Sequence, residues 1–278
     1  MDTAIIGVSF RFPGANDSLA FWANLADRRS SVVEVPLERW DWRSLWGDPK
    51  LDVNKTFSKW GGFIDDVDAF DHEFFGLLPK VVHNMDPQQR IMLELAWSCL
   101  EDAGIPPSSL RGRPVGVFTG VTHHDYKELL ASARVEIEPY HYTGTATVVV
   151  PNRISHFFGL RGPSLPIDTG CSSSLNAIHA AIQSFERGEC EMALAGGISL
   201  ILNPARHISV SKMGTLSPTG SCKTLDDRAD GYVRGEGGGH RREGGDRVRP
   251  QGGRACVEEG VAAQLEDRDE ATGLVPGE

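Results

Sequence analysis

Residues 163–175 read PSLPIDTGCSSSL, and the interpretation of the whole chain starts from this stretch. Ser164 to Ile167 predicts a short buried strand, because turn-forming residues follow it at once. Thr169-Gly170 predicts a sharp turn, since glycine adopts backbone angles that other residues resist. Cys171 therefore directly follows a change of chain direction.

A helix is predicted after this turn. The apolar residues that recur there at helical spacing are Leu175, Ile178, Ile182 and Phe185. Gly188 stands where a C-terminal cap belongs, and any of the three serines at 172–174 can cap the first free amides. Cys171 is then expected at the positive end of a helix dipole, which favours its thiolate form.

Strands and helices alternate along the rest of the chain. The other predicted strands are Thr3 to Phe10, Val115 to Val121 and Met192 to Leu202. A helix buried on more than one side is expected from Asp86 to Gly104. This order predicts an α/β fold whose sheet is covered on both faces. Gly196 and Gly197, inside a strand, indicate close approach by another backbone or a ligand.

Composition and charge exclude several classes of function. The chain has 278 residues, 40% of them hydrophobic, and a net charge of -10, which is typical of a soluble globular protein and disfavours nonspecific nucleic-acid binding. Its five cysteines lack the paired spacing of disulfides or zinc sites, so a reduced cytoplasm is the expected location. No signal peptide or membrane-spanning run is expected. His123-His124-Asp125 favours a solvated helix start over a metal site.

A lone cysteine in a turn of small residues is more often a buried hydrophobe than a nucleophile, so position alone leaves both readings open. The wider string DTGCSSSL at 168–175 closely resembles the active-site signature of β-ketoacyl synthases. It is most similar to the ketosynthase domains of modular type I polyketide synthases. That family usually has alanine where this chain has Gly170.

Further strings carry the same resemblance in the family's order. They are FRFPG at 10–14, WGGFI at 60–64, MDPQQR at 85–90 and LSPTGSCKTLDDRADGYVRGEG at 216–237. The resemblance implies the N-terminal half of a thiolase-like layered fold. Gln88, Gln89 and Arg90 are interpreted as structural, tying a helix end to neighbouring loops.

The resemblance stops after Gly237, where the family continues into an apolar strand. Here GGHRREGG follows at 238–245, and no aromatic residue follows Tyr232. We therefore expect a ketosynthase N-terminal domain over residues 1–237 and a divergent, disordered C-terminal tail over 238–278. An out-of-frame or truncated continuation is favoured over a genuine linker.

The resemblance also implies a reaction. Cys171 would take an acyl chain, as a thioester, from the phosphopantetheine arm of an acyl carrier protein. A malonyl-type extender would then condense with it in a decarboxylative Claisen reaction. The Cys171 amide would donate to the oxyanion. Phosphopantetheine belongs to the carrier protein, so no cofactor or metal is expected on this chain. The family's homodimer, which pairs the strand before the nucleophile with its twin, is expected as well.

Three functions remain open at this point. The first is a ketosynthase domain or its N-terminal piece, and the second is a catalytically inactive fragment with a binding or scaffolding role. The third, another thiolase-fold enzyme such as a fatty-acid or chalcone-type synthase, is disfavoured by the tryptophan-rich segment between Ser31 and Lys59. The family's His-Gly-Thr-Gly-Thr and Lys-x-Asn-x-Gly-His strings are absent, so none of the nine histidines is given a catalytic role.

Overall fold

The computed structural model describes residues 3–244 of the chain. Most of the predicted tail, from residue 245 onward, lies outside these described residues. Within them the strands are β1 (Ala4–Arg11), β2 (Val32–Glu34), β3 (Trp60–Gly62), β4 (Val115–Val121), β5 (Ser164–Ile167), β6 (Met192–Ser199), β7 (Arg234–Gly235) and β8 (Gly237–Gly244). The α-helices are α1 (Ser18–Ala26), α2 (Trp42–Leu45), α3 (Pro79–Asn84), α4 (Pro87–Asp102), α5 (Asp125–Ser132), α6 (His141–Thr145), α7 (Val149–Phe158), α8 (Ser173–Glu186) and α9 (Pro204–Lys212).

A five-stranded sheet in the order β1-β8-β6-β4-β5 forms the centre of the described chain. Strands β5, β4 and β6 run parallel, whereas β8 runs antiparallel to both of its neighbours, β6 and β1. Helices α4 and α7 pack against one face of this sheet, and α8 packs against the other. The predicted α/β arrangement, with helices on both faces, is confirmed.

The main core lies between the sheet and α4. All seven residues of β4 are buried, which suits a strand with helices on both faces. Ile91, Met92 and Leu93 of α4 are fully buried although they are consecutive, so this helix is buried on more than one side as its sequence predicts. The N-terminal cap is the side chain of Asp86, which accepts a hydrogen bond from the Gln88 amide at 2.8 Å.

Some predicted boundaries shift. The strand predicted from Met192 to Leu202 ends at Ser199 as β6, and α7 begins at Val149 after the short helix α6 ends at Thr145. The tryptophan-rich segment from Ser31 to Lys59 contains β2 and α2. Trp40 in this segment is buried against Phe63 and anchors the segment to the rest of the fold.

Strand β8 begins at residue 237, where the predicted N-terminal domain ends, and the domain boundary itself stays a prediction. Residues 238–244 were expected to begin a disordered tail, yet they pair with both β1 and β6 at the middle of the sheet. A Cβ on Gly196 would lie 1.9 Å from the Gly239 carbonyl oxygen, so this glycine admits the neighbouring backbone. The backbone ladder thus continues although the side chains no longer have the apolar character of a central strand.

Two polar side chains of β8 are buried in the sheet, which lowers the stability of the fold. His240 and Arg242 are each only 1% exposed. Within residues 3–244, neither ring nitrogen of His240 and neither Nε nor Nη1 of Arg242 has a hydrogen-bond partner. The remaining nitrogen of Arg242, Nη2, contacts the sulfur of Met192. Burying polar groups without partners opposes folding, so His240 and Arg242 destabilise the sheet.

No helix among residues 3–244 has the length and apolar character needed to cross a membrane.

Candidate active site

The turn that carries Cys171 connects β5 to α8. After β5 come Asp168 and Thr169, then a single 3₁₀ turn from Gly170 to Ser172, and α8 begins at Ser173. The predicted order of strand, turn and helix is therefore present. Cys171 is exposed, and its sulfur forms no hydrogen bond with any residue that the structure describes. The site residue predicted from sequence is thus accessible to a substrate.

Gly170 fits the turn for a conformational reason. Its φ is +67°, in the left-handed region, and a Cβ built there would meet nothing within 4 Å. Space therefore permits a larger residue, but a left-handed backbone costs an L-residue about 1 kcal/mol. Where the family usually has alanine, this chain has the residue that its turn geometry favours.

The side chain of Asp168 anchors the turn to the neighbouring strand β4. Its Oδ1 accepts hydrogen bonds from the Gly170 amide at 3.1 Å and from Thr122 Oγ1, just after β4, at 3.0 Å. The bond from Gly170 and then the bond from Thr122 hold the pKa of Asp168 below its ordinary value. Asp168 belongs to the DTGCSSSL motif, but no pattern in the sequence assigns it a role or indicates its contact with Thr122.

The serines stabilise the turn rather than cap the helix. Ser172 is the N-cap residue of α8 but makes no side-chain capping bond. Ser173 Oγ accepts from the Thr169 amide at 2.9 Å and donates to the Gly170 carbonyl at 2.6 Å. Asn176 Nδ2 donates to Thr169 Oγ1 and to the Ser172 carbonyl, both at 3.0 Å. The polar residues after Cys171 therefore fix its backbone.

Glycines let the first turn of α8 rest on the ends of two strands. A Cβ on Gly120 of β4 would lie 2.7 Å from backbone atoms of Ser173 and Ser174, and one on Gly197 of β6 would lie 3.0 Å from Ser174 Cβ. The helix then buries its small residues Ala177 and Ala181 against the sheet. The predicted apolar face is only partly buried, since Phe185 is covered but Leu175 is 42% exposed.

The MDPQQR motif connects the start of α4 to the loop that contains Thr122. Gln88 Nε2 donates to the His123 carbonyl at 3.0 Å, next to Thr122, and Gln89 Nε2 donates to the Gly144 carbonyl at 2.8 Å. Arg90 Nε donates to the Met85 carbonyl at 2.8 Å. These bonds tie the start of α4 to two loops, which agrees with the structural role interpreted from sequence.

Of the two histidines after β4, His124 is exposed at the start of α5, as predicted, whereas His123 is less solvated than predicted. His123 is half-buried against Arg206, and burial, followed by Arg206 and Arg234, lowers the pKa of its imidazole to about 4. Asp125 is buried and accepts hydrogen bonds from the Leu202 and Asn203 amides. Within residues 3–244, no three histidine, cysteine or acidic side chains are close enough to hold a metal ion.

The other described cysteines are in less accessible places. Cys99 is buried, which raises the pKa of its thiol to about 12, and burial also raises the pKa of Cys190. Cys222 is half-buried and its sulfur accepts a hydrogen bond from the Val233 amide at 3.1 Å. Cys256 lies outside the described residues. The structure therefore distinguishes Cys171 by its exposure.

Comparison with known proteins identifies the family. Residues 2–240 match the model of the β-ketoacyl synthase N-terminal domain, and the chain belongs to this family. It is the N-terminal part of a ketosynthase domain of the polyketide synthase type. The matched region ends at residue 240, inside β8.

Two curated relatives are polyketide synthases. ThaG from Burkholderia thailandensis is 55% identical over 86% of this chain and 4% of its own length. PksN from Bacillus subtilis is 49% identical over 85% of this chain and 4% of its own length. The chain thus spans only a small part of the length of these relatives.

Solved structures agree with this assignment. The ketosynthase from module 6 of the bacillaene synthase of Bacillus subtilis matches with a TM-score of 0.79 and 36% identity, over 88% of this chain and 40% of that one. The oxazolomycin ketosynthase domain OzmH KS7 of Streptomyces albus matches with a TM-score of 0.81 and 37% identity, over 87% and 42% of the two chains. The predicted thiolase-like fold is confirmed, and this chain corresponds to its N-terminal half.

Proposed function

We propose that Cys171 is the nucleophile that accepts the acyl chain in a ketosynthase reaction. The observation that carries this proposal is its exposed thiol on the turn between β5 and α8, held by Asp168 and the serines that follow, in a chain of this family. The thiolate attacks the carbonyl of an acyl thioester on a carrier protein. A carbon–sulfur bond to Cys171 forms, the bond to the pantetheine sulfur breaks, and that sulfur leaves as a thiol carrying the proton.

The Cys171 amide is the proposed oxyanion donor, since the first amides of a helix lack intrahelical acceptors. In the condensation that follows, a malonyl-type thioester loses carbon dioxide and its carbanion attacks the acyl group on Cys171. A carbon–carbon bond forms and the Cys171 thiolate departs. Phosphopantetheine supplies the thioester arm and stays on the carrier protein.

Association of two copies is part of the proposal. Strand β5 lies at one edge of the five-stranded sheet, so one side of its backbone has no neighbouring strand within residues 3–244. Leu165 on this strand is 47% exposed, and Leu175 at the start of α8 is 42% exposed. Pairing of β5 with a second copy would cover both the edge and these side chains.

The second candidate is a fragment that does not condense acyl units. The observation that favours it is β8, where His240 and Arg242 are buried at the middle of the sheet without adequate partners. None of the histidines described is hydrogen-bonded to Cys171. Carbanion stabilisation commonly contributes on the order of a hundredfold to a thousandfold per donor, so acylation without condensation is the expected behaviour of this chain.

Mass spectrometry of the chain after incubation with an acyl-pantetheine thioester tests the nucleophile. We expect one acyl group on the peptide that contains Cys171, its loss in Cys171→Ser, and its retention in the matched variant Cys222→Ser. Acylation shared equally with Cys222, or absent altogether, would contradict the proposal. The unmutated chain and Cys171→Ala should release carbon dioxide from malonyl carrier protein at the same rate. Faster release by the unmutated chain would favour full ketosynthase activity.

The cytoplasmic location expected from the cysteine pattern stays a prediction.

A further inference from the structure

A basic concavity lies at the end of the sheet opposite to Cys171. It has a volume of about 480 Å³, and the residues that line it are Arg111, Gly112, Ser155, His156, Gly159, Leu160 and Arg161. Arg111 precedes β4 and Arg161 precedes β5, whereas Cys171 follows the carboxyl end of β5. The seven residues of β4 separate the two ends by roughly 20 Å. The concavity is therefore a different surface from the nucleophile turn.

The charge of the concavity is uncompensated. Arg111, His156 and Arg161 are exposed, and within residues 3–244 their side chains form neither hydrogen bonds nor ion pairs. No carboxylate is among the lining residues described. The neighbouring Arg113, in contrast, pairs with Glu191 at 2.8 Å. Unpaired arginines around one hollow are notable in a chain with a net charge of -10.

Backbone hydrogen bonds hold the two arginines near each other. The Gly112 amide donates to the Gly159 carbonyl at 2.7 Å, and the Arg161 amide donates to the Arg113 carbonyl at 2.8 Å. A Cβ on Gly159 would lie 3.2 Å from Arg111 Cγ, so the stem of Arg111 rests on this glycine. Arg111 Nη1 lies 3.3 Å from the same Cβ position, so its guanidinium also rests over Gly159. The segments that carry the two arginines thus form a fixed base for the concavity.

The arrangement fits carboxylates spread over a protein surface better than a single phosphate. A phosphate site usually offers free backbone amides, but those of Gly112, Gly159, Leu160 and Arg161 all donate to carbonyls of this chain. Ser155 Oγ is also occupied, donating to Ser164 Oγ at 2.9 Å. What remains is two arginine side chains beside His156 around an open hollow, which suits an acidic surface of complementary charge.

We propose that this basic concavity is a docking site for the acidic face of a partner protein, at the end of the sheet away from the nucleophile. The partner is defined by its chemistry, a helix or loop that presents several carboxylates at a spacing of one helical turn. Binding there leaves Cys171 accessible, so docking and acyl transfer can occur at the same time.

A labelled alanine-based helical peptide with glutamates at i and i+4 is the probe, and fluorescence anisotropy with the full chain measures its dissociation constant. We expect Arg111→Glu/Arg161→Glu to weaken binding by roughly tenfold or more. The matched variant Lys127→Glu/Arg134→Glu changes the charge equally at exposed positions elsewhere and should stay within about twofold. A peptide with glutamine in place of glutamate should not bind.

Equal weakening by both variants would overturn the proposal, as would equal binding of the glutamine peptide. Displacement of the peptide by inorganic phosphate, but not by chloride at the same ionic strength, would instead indicate a small-oxoanion site. Arginine-specific modification of the unmutated chain gives a second test that does not depend on the folding of variants. The acidic peptide should slow modification of Arg111 and Arg161 but not of Arg134, and unchanged rates at all three would refute docking here.

Discussion

Replacing Arg242 by leucine is expected to stabilise the fold. Arg242 is 1% exposed on β8, between β1 and β6, and two of its three guanidinium nitrogens lack partners within the described residues. Leucine at this position would restore the apolar character that a strand buried on both sides requires. The change therefore tests whether residues 238–244 really occupy the middle of the sheet.

The magnitude follows from the burial of the charge. Burial lowers the pKa of Arg242 to about 10, well below the ordinary value of an arginine, and a fall of this size corresponds to about 3 kcal/mol against the charged form. Burying a leucine side chain contributes about 1.5–3 kcal/mol, and the smaller volume of leucine removes part of that gain. We expect the free energy of unfolding to rise by about 2–3 kcal/mol.

Urea unfolding at pH 7.5, followed by tryptophan fluorescence, measures this change. Arg187→Leu, an exposed arginine just after α8, is the matched control and should alter stability by less than about 0.5 kcal/mol. His240→Val should also stabilise, since both of its ring nitrogens are unpaired. If Arg242→Leu left the free energy of unfolding unchanged or lower at an unchanged m-value, the reasoning about β8 would be refuted.

Three other predictions concern pH, the nucleophile turn and the cysteines. Burial lowers the pKa of His123, His207 and His240 to about 4, so below about pH 6.5 the unfolded chain binds protons that the folded chain binds only near pH 4. Asp86, whose pKa burial raises to about 6, opposes this between about pH 4 and 6, and so do Glu94 and Glu236, whose pKa values burial also raises. We expect the three histidines to dominate, so the free energy of unfolding should fall from pH 7 to pH 4.5; a flat profile in urea titrations would contradict the buried histidines. Thr122→Val removes a hydrogen bond to Asp168 and should slow acylation of Cys171 by roughly threefold to tenfold. Thr119→Val, its control, removes a buried hydroxyl that has no partner among the described residues and should leave the rate unchanged, so equal rates for the two variants would exclude a role for Thr122. Iodoacetamide with peptide mapping should label Cys171 first and Cys99 and Cys190 last, because the latter two are buried; equal labelling under native conditions would show that the fold does not protect them.

The local sequence predicted the elements that bear the site. The bounds of β4 and β5, and a helix after Cys171 that ends near Gly188, follow from short-range patterns of apolar residues and glycine. Those patterns suffice because strand, turn and helix at this point involve residues close together in the chain. The family strings then indicated the thiolase-like fold and the place of Cys171.

Side-chain partners in the turn could not be predicted from the sequence. Thr122 and Asp168 are 46 residues apart and meet because β4 and β5 are parallel neighbours. The buried face of α8 was misjudged for a similar reason, since the close approach of the helix to Gly120 and Gly197 selects small residues such as Ala177 for the contact.

Strand β8 shows most clearly what the tertiary structure decided. The sequence determined that residues 238–244 lack the apolar side chains of a central strand, and from this it predicted a disordered tail. The fold places them between β1 and β6, because the backbones of those two strands offer hydrogen-bonding edges that any extended chain can satisfy. Backbone hydrogen bonds between strands form whatever the side chains are, but burying polar side chains destabilises the fold. The burial of His240 and Arg242 therefore lowers stability at a place that the sequence pattern alone could not identify.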